Sequence, residues 1–475
     1  MRVLLTNNTL KWRSGTELYV LDLALRLKRL GHEPVAYSPH LGEVAELLAL
    51  AGVPVVHNLL DLPFRPDIIH GHHHVETMTA LASLPAVPAV YFCHGSVPWQ
   101  EMPPVFPRIL RYVAVDEVCR ERIVREVKIP FEEIRLLLNF VDTDVFRPRP
   151  PLPPRPMRAL VFSNNASEEN YAAAVRASCQ QCGVTLEMRG LASGNPTKEP
   201  QDLLQHYDIV FAKARAAIEA MAVGCAVVLV DAVGLGPMVT MANFTRLRPN
   251  NFGFRTLVDE PTVENIARTI QRYDATDAAG VRDLVRNEAN MSDAVNKIVR
   301  IYEEVIAENG ERASDSVAEL RAVGAYLQTL NAIIKAEVYG FEKPSRMEPL
   351  TASAAAQISL TNAKVSVPLA NGHLWVQCEV TNGTSQRIGS YHPAPIHLSY
   401  HWFDAAGNIA ISEGLRTPLI PSLDPGNSDV YEIKVAAPRD PGDYRLRITL
   451  VQEGVRWFDE LPDSAASFEL GVNVP

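Results

Sequence analysis

Short apolar runs alternate with amphipathic stretches through the first half of the chain. Residues 2–6 (RVLLT) read as a buried strand, followed by a polar loop at 7–14 and Gly15. A helix is then predicted over 16–29, with Leu18, Leu21, Leu23, Leu25 and Leu27 as its apolar positions. Gly31 stands where a helix C-cap belongs. Strands at 34–37, 53–56, 68–70, 89–93 and 113–115 alternate with helices at 43–51, 75–84 and from 117. Such alternation predicts a parallel sheet with helices on both faces.

A proline-dense stretch, 147–156 (RPRPPLPPRP), interrupts the pattern. It can be neither helix nor inner strand and reads as a stiff linker. The alternation then restarts, with strands at 159–162, 185–189 and 209–211 and helices at 168–182 and 201–206. Two Rossmann-like α/β domains with a cleft between them follow, and ligands of such sheets sit at the carboxyl ends of the strands. Residues 263–308 are amphipathic and helical. A further helical pattern at 313–341 puts Leu320, Val323, Leu327, Leu330 and Ile334 on one stripe. Core packing, a helical extension and a dimer coil are all open for it.

From about residue 363 the period changes to two, with turn signals at 405–408 (AAGN), 424–427 (DPGN) and 440–443 (DPGD). That predicts an antiparallel, immunoglobulin-like β-sandwich without a bracketing cysteine pair. The expected division is 1–147, an acceptor domain; 148–157, a linker; 158–310, a donor domain with its C-terminal helices; 311–343, a helical connector; and 363–475, the sandwich.

Composition narrows the picture. With 475 residues, 47% hydrophobic and 21% charged, the chain is an ordinary globular one of several domains. A net charge of −10 argues against a nucleic-acid partner. One basic cluster, Arg108, Arg111, Arg120, Arg122, Arg125 and Lys128, is interleaved with Glu117, Glu121 and Glu126 and reads as a solvated helix face. Peripheral contact with anionic lipid is the sharper alternative. Six cysteines are too few for a disulfide framework, and no apolar run is long enough to span a membrane. A cytoplasmic location is expected, with the inner membrane face as an alternative.

Candidate chemistry concentrates at 212–240 (AKARAAIEAMAVGCAVVLVDAVGLGPMVT). A helix of small residues carries one carboxylate, Glu219, beside an apolar strand at 226–230 and a glycine turn at 234–236. A buried carboxylate needs a polar partner, and a strand followed by a Gly-rich turn can present N–H groups to a phosphate. The combination points to a sugar-nucleotide pocket. The histidine run His70-Gly-His72-His73-His74 is expected to hold no metal, because adjacent side chains on a strand diverge and no carboxylate completes a site.

Several pieces then fall into a familiar order. Ser14-Gly15-Thr16-Glu17 with Gly31-His32-Glu33, Asp67-Ile-Ile-His70-Gly-His72, and Tyr91-Phe-Cys-His94-Gly95 are three of them. Asn139-Phe-Val-Asp142-Thr-Asp-Val-Phe146-Arg-Pro148 and Glu219-Ala-Met-Ala-Val-Gly224-Cys-Ala-Val-Val complete the set. Together they resemble the GT-B-fold glycosyltransferases of family 4 over about residues 1–310. The resemblance implies catalytic roles for His94, near the donor sugar, and Glu219, on the ribose hydroxyls. It implies that Gly15, Gly234 and Gly236 approach the donor diphosphate. Three departures stand out. The family's first Glu, eight residues before the second, is replaced by Phe211. Its donor-domain Arg and Lys are replaced by Ser163-Asn164-Asn165. The Glu after the glycine pair is replaced by Pro237-Met238. Lys213 and Arg215 are placed to supply the missing positive charge. Arg13, His72 and His73, with Asn7, Lys11 and Trp12, are expected on the acceptor side.

The resulting expectation is a retaining, metal-independent glycosyltransferase with no cofactor. It would move a hexosyl-type sugar from a nucleotide-sugar donor to a hydroxyl of a glycan or lipid-linked acceptor, in bacterial-type surface polysaccharide or glycoconjugate synthesis. No carboxylate pair at hydrolase spacing is evident, which disfavours a glycosidase. A homo-oligomer through the connector or sandwich stays open. The rivals are a degenerate GT-B scaffold or glycan-binding protein, and a sugar-nucleotide epimerase acting without an acceptor.

Overall fold

In the computed structural model, which describes residues 1–313, 315–339, 346–370, 372–462 and 464–474, the chain begins with a seven-stranded parallel sheet. Its strands are β1 (Arg2–Thr6), β2 (Glu33–Tyr37), β3 (Val55–Val56), β4 (Ile68–Gly71), β5 (Ala89–Cys93), β6 (Ile109–Ala114) and β7 (Arg135–Leu136). They lie in the order β3-β2-β1-β4-β5-β6-β7. Val3, Leu4, Leu5, Ile68 and Ile69 are fully buried, as strands covered on both faces must be. The order reverses between β1 and β4, so the crevice at their carboxyl ends lies at a topological switch point.

The second domain repeats the plan with β8 (Arg158–Phe162), β9 (Thr185–Arg189), β10 (Ile209–Ala212), β11 (Ala226–Asp231) and β12 (Gly234–Met238), ordered β12-β11-β10-β8-β9. Here the expected glycine turn is corrected. Residues 234–236 belong to β12, which runs back antiparallel to β11. Leu235 exchanges backbone hydrogen bonds with Asp259, at 2.7 and 2.9 Å. A Cβ on Gly234 would stand 2.8 Å from Leu257 O, and one on Gly236 would stand 2.7 Å from Thr256 O. The two glycines make room for the protein's own backbone rather than for a phosphate.

The proline-rich segment is free of helix and strand and lies along the second domain. Arg149 N donates to Val223 O at 2.9 Å, and Tyr273 Oη donates to Pro153 O at 2.8 Å. The helix Met291–Glu311 follows the second domain in sequence but packs on the first. Its Val295, Ile298, Tyr302 and Val305 share a core with Val3, Leu5, Val90 and Phe92.

The connector helix Ser316–Tyr339 divides the expected stripe. Ala322, Val323 and Tyr326 pack against the first domain, whereas Leu320, Leu327 and Ile334 face outward. The end of the expected connector, 340–343, and residue 475 lie outside the described residues.

The C-terminal domain is a two-sheet antiparallel sandwich that begins at Ile358. Two of its turns fall at the predicted 405–408 and 424–427, whereas the strand Gly442–Gln452 has already begun within the predicted 440–443. Tyr400, Trp402 and Trp457 are buried, and Trp402 Nε1 donates to Ala436 O at 2.9 Å. The sandwich docks on the first domain through Glu453, which accepts from Arg125 at 2.7 Å, and through Gly454 O, which accepts from Ser96 Oγ at 2.6 Å.

The basic cluster is not a free face. Arg108 caps the carbonyls of Leu81, Leu84 and Val87 and pairs with Glu319; Arg111 pairs with Glu308, Arg122 with Glu126, and Arg125 with Glu453. These guanidiniums serve packing between elements, which reduces the charge available to a lipid surface. Among the described residues no helix is long and apolar enough to cross a membrane.

Candidate functional site

The two domains meet around a cavity of about 170 Å³ lined by Gly15, Thr16, Tyr19, His94, Asn139, Phe140, Ala214 and Arg215. Two helices begin there. The first, Gly15–Arg29, starts after Ser14, whose hydroxyl donates to Glu17 Oε2 at 2.7 Å rather than capping the helix. The second, Ala214–Val223, likewise has no side-chain cap, and Ala214 sits in the left-handed region at φ 49°. Helix N-termini carry partial positive charge and unpaired N–H groups. One from each domain opens on the same cavity, with the Ala214 N–H itself bonded to Phe252 O at 3.1 Å.

Arg215 is the centre of a charged triad. Its Nε donates to Glu219 Oε1 at 2.7 Å and its Nη2 to Asp22 Oδ2 at 2.6 Å, across the domain boundary. Glu219 therefore has the polar partner its burial demands. Burial raises its pKa, and Arg215 only partly offsets that. Burial works against the Arg215 charge too, but Asp22 and Glu219 outweigh it and hold the guanidinium protonated. Lys213 is the N-cap of the same helix. Its ammonium pairs with Asp231 at the end of β11 and lies 3.5 Å from the centre of the Phe254 ring.

Behind the cavity wall stands a histidine cluster. His70 and His72 are two residues apart on and just beyond β4, so their rings meet, with Nε2 atoms 2.7 Å apart. Nδ1 of His70 meets the Tyr302 hydroxyl at 2.5 Å, and Nε2 of His94 lies 3.2 Å from Nε2 of His72. Burial drives all three imidazoles toward the neutral form, His94 to about 4. His73 turns the other way, with φ 59°. Asn8 N donates to its Nδ1 at 3.1 Å, and its Nε2 faces Glu101 Oε1 at 3.3 Å. Burial would raise the Glu101 carboxyl, but His73 and the His94 amide bring it to about 2. Among the described residues no group of three or more His, Cys, Asp or Glu has a metal-holding arrangement.

The structure thus brings Gly15, His94, Arg215 and Glu219 to one cavity or its wall. Lys213 lies beside it, occupied by Asp231, and Gly234 and Gly236 are packed away in β12. On the acceptor side, His72 and His73 are buried, and both ring nitrogens of His73 are occupied. Arg13 lies 3.6 Å from Glu43, and the neighbouring Trp12 is 55% exposed beneath Lys11. Sequence reasoning missed Tyr19, Asp22, Glu101 and Tyr302. Tyr19 and Asp22 were within reach, standing four and seven residues after Gly15 on one helix face. Glu101 and Tyr302 arrive from distant segments and left no local signal.

Comparison with known proteins gives a match of residues 13–145 to Glycosyltransferase Family 4. No curated protein matches the chain in sequence. Among solved structures, a glycosyltransferase from Rickettsia africae is 16% identical with a TM-score of 0.48, over 64% of this chain and 98% of its own. HepE from Anabaena, solved with UDP and glucose, is 14% identical with a TM-score of 0.46, over 64% of this chain and 99% of its own.

Proposed function

We propose that this chain is a glycosyltransferase that takes a nucleotide-sugar donor in the cavity between its two Rossmann-like domains. The observation that carries the reading is the convergence of two uncapped helix N-termini, at Gly15 and Ala214, with Arg215 and His94 on that one cavity. Glycosyl transfer expels a diphosphate and builds positive charge at the anomeric carbon. N–H groups and a guanidinium stabilise the first. A neutral His94 can hydrogen-bond the sugar without adding charge beside that carbon. The match of residues 13–145 supports the same reading.

The donor enters an opened cleft, since about 170 Å³ is smaller than the few hundred Å³ of a typical ligand pocket. Closure then excludes water and limits donor hydrolysis. Glu219 holds the ribose once Arg215 turns from it to the diphosphate. The acceptor is a hydroxyl of a glycan or lipid-linked glycan that approaches the first loop, where exposed Trp12 offers a face for a sugar ring. Transfer with retention and without a metal belongs to this proposal.

A second reading, a degenerate scaffold, is favoured by one observation: Lys213 and Arg215 are both neutralised by the protein's own carboxylates. One experiment separates the two. The protein is melted with UDP, GDP, ADP and their sugars, and released nucleoside diphosphate is followed with and without glycan acceptors. Stabilisation with acceptor-dependent release supports transfer, and binding without release supports the scaffold. Conversion of the donor without acceptor supports an epimerase, and silence across the panel overturns the donor site.

A further inference from the structure

Tyr19 occupies an unusual position in the cavity wall. It stands one helical turn after Gly15 and three residues before Asp22, so its face of the helix looks toward the uncapped N-terminus and Arg215. Its ring is held on several sides: His94 edge-on with centroids 4.5 Å apart, Phe140 at 5.1 Å and His72 at 5.2 Å. The residue is only 5% exposed, yet its hydroxyl has no hydrogen-bond partner among the described residues. Buried tyrosine hydroxyls ordinarily find a partner, and an unmet one is costly. Enclosed by these rings, Tyr19 cannot swing out to find one elsewhere. The cavity that the residue lines is the space beside it from which a partner can come.

We propose that the Tyr19 hydroxyl is a ligand contact, donating its hydrogen bond to a phosphate oxygen of the nucleoside diphosphate moiety. The inference rests on the donor-site reading above and adds to it a residue and an atom. The surroundings favour an anionic acceptor over a neutral one. The Gly15 helix N-terminus and the Arg215 guanidinium border the same space, and a diphosphate that takes that guanidinium from Asp22 and Glu219 brings its oxygens beside the phenol. Burial also keeps the phenol protonated, with Arg215 only partly opposing, so the oxygen presents a donor at every working pH. A phenol cannot replace the charge of the absent Arg and Lys. It adds a directed donor where two helix N-termini already supply positive potential.

The test is Tyr19→Phe, which removes one oxygen and leaves the ring packing intact. Binding of UDP, GDP and ADP is measured by calorimetry for both proteins, together with the ligand-free melting temperature. The expected result is about a ten- to hundredfold weaker binding of whichever diphosphate the wild type takes. Affinity for the matching nucleoside should be unchanged, and the ligand-free melting temperature equal to or above wild type. Equal diphosphate affinity in the two proteins overturns the inference and leaves the donor site standing. A lower ligand-free melting temperature assigns the hydroxyl a partner within the fold and also overturns it. No diphosphate binding to the wild type overturns the donor site and this inference together.

Discussion

Arg215 Nη2 lies 2.6 Å from Asp22 Oδ2, so a guanidinium of the second domain is held by a carboxylate of the first. The same guanidinium holds Glu219 at 2.7 Å. Asp22 and a diphosphate therefore compete for one cation. Asp22→Asn weakens the hold by about 1–2 kcal/mol, since both side chains are partly solvated. The expected outcome is a slightly lower ligand-free melting temperature with tighter diphosphate binding, measured by calorimetry. Weaker binding would remove Arg215 from the phosphate role.

Lys213 is a structural cation first. Its partner Asp231 is buried, with 7% of its side chain exposed. Lys213→Met leaves that carboxylate unpaired, which costs about 3–5 kcal/mol when a buried pair is broken. Urea denaturation of the ligand-free protein should show this loss. Lys213→Met with Asp231→Asn together should recover most of it. A single variant with wild-type stability and impaired diphosphate binding would instead make Lys213 a ligand group.

Gly234 and Gly236 test the correction to β12. Gly236→Ala places a Cβ 2.7 Å from Thr256 O and 2.9 Å from the Leu229 Cβ. Overpacking of this kind costs about 1–3 kcal/mol. The expected signature is a lower melting temperature with the ligand-induced shift preserved. Loss of that shift at unchanged stability would restore the phosphate-loop role.

The histidine cluster predicts acid sensitivity. His70, His72 and His94 have folded pKa values below the ordinary 6.5, with His94 at about 4, all chiefly through burial. The unfolded chain binds their protons first, so stability is whole above pH ~6.5 and is lost as pH falls toward 4. Each imidazole contributes up to about 1.4 kcal/mol per pH unit to that slope. Unfolding free energies between pH 7.5 and 4.5 should show it, and His94→Asn should reduce the slope by up to one proton. An unchanged slope in that variant would mean that His94 binds its proton equally well folded and unfolded.

The sandwich hangs on Glu453, 1% exposed, which accepts from Arg125 at 2.7 Å, Arg416 at 2.8 Å and His397 at 3.0 Å. Glu453→Ala removes the carboxylate that joins Arg125 of the first domain to Arg416 of the sandwich, leaving Arg125 with Glu126 and Arg416 with Glu413. Limited proteolysis should then release the sandwich, with the 347–355 segment that shares its core, while the Rossmann-like domains persist. A protease-resistant variant of wild-type stability would show that the remaining contacts suffice.

The order of strands and helices was legible in the sequence because it depends on local periodicity. Strands β1, β5 and β9 match their predicted limits, and the two-sheet sandwich follows from alternation and Asp-Pro-Gly turns. Gly15, His94 and Glu219 were legible as candidates through the motifs that resemble family 4, and Arg215 through its place between a strand end and the Glu219 helix.

What tertiary structure alone decided is who neutralises whom. Asp22 and Arg215, Lys213 and Asp231, and His73 and Glu101 are pairs whose members come from separate segments, and no local pattern reports such encounters. Gly234 and Gly236 show the same limit. Glycine's freedom is local, but whether a phosphate or the backbone of Thr256 and Leu257 fills the space beside it depends on how distant segments pack.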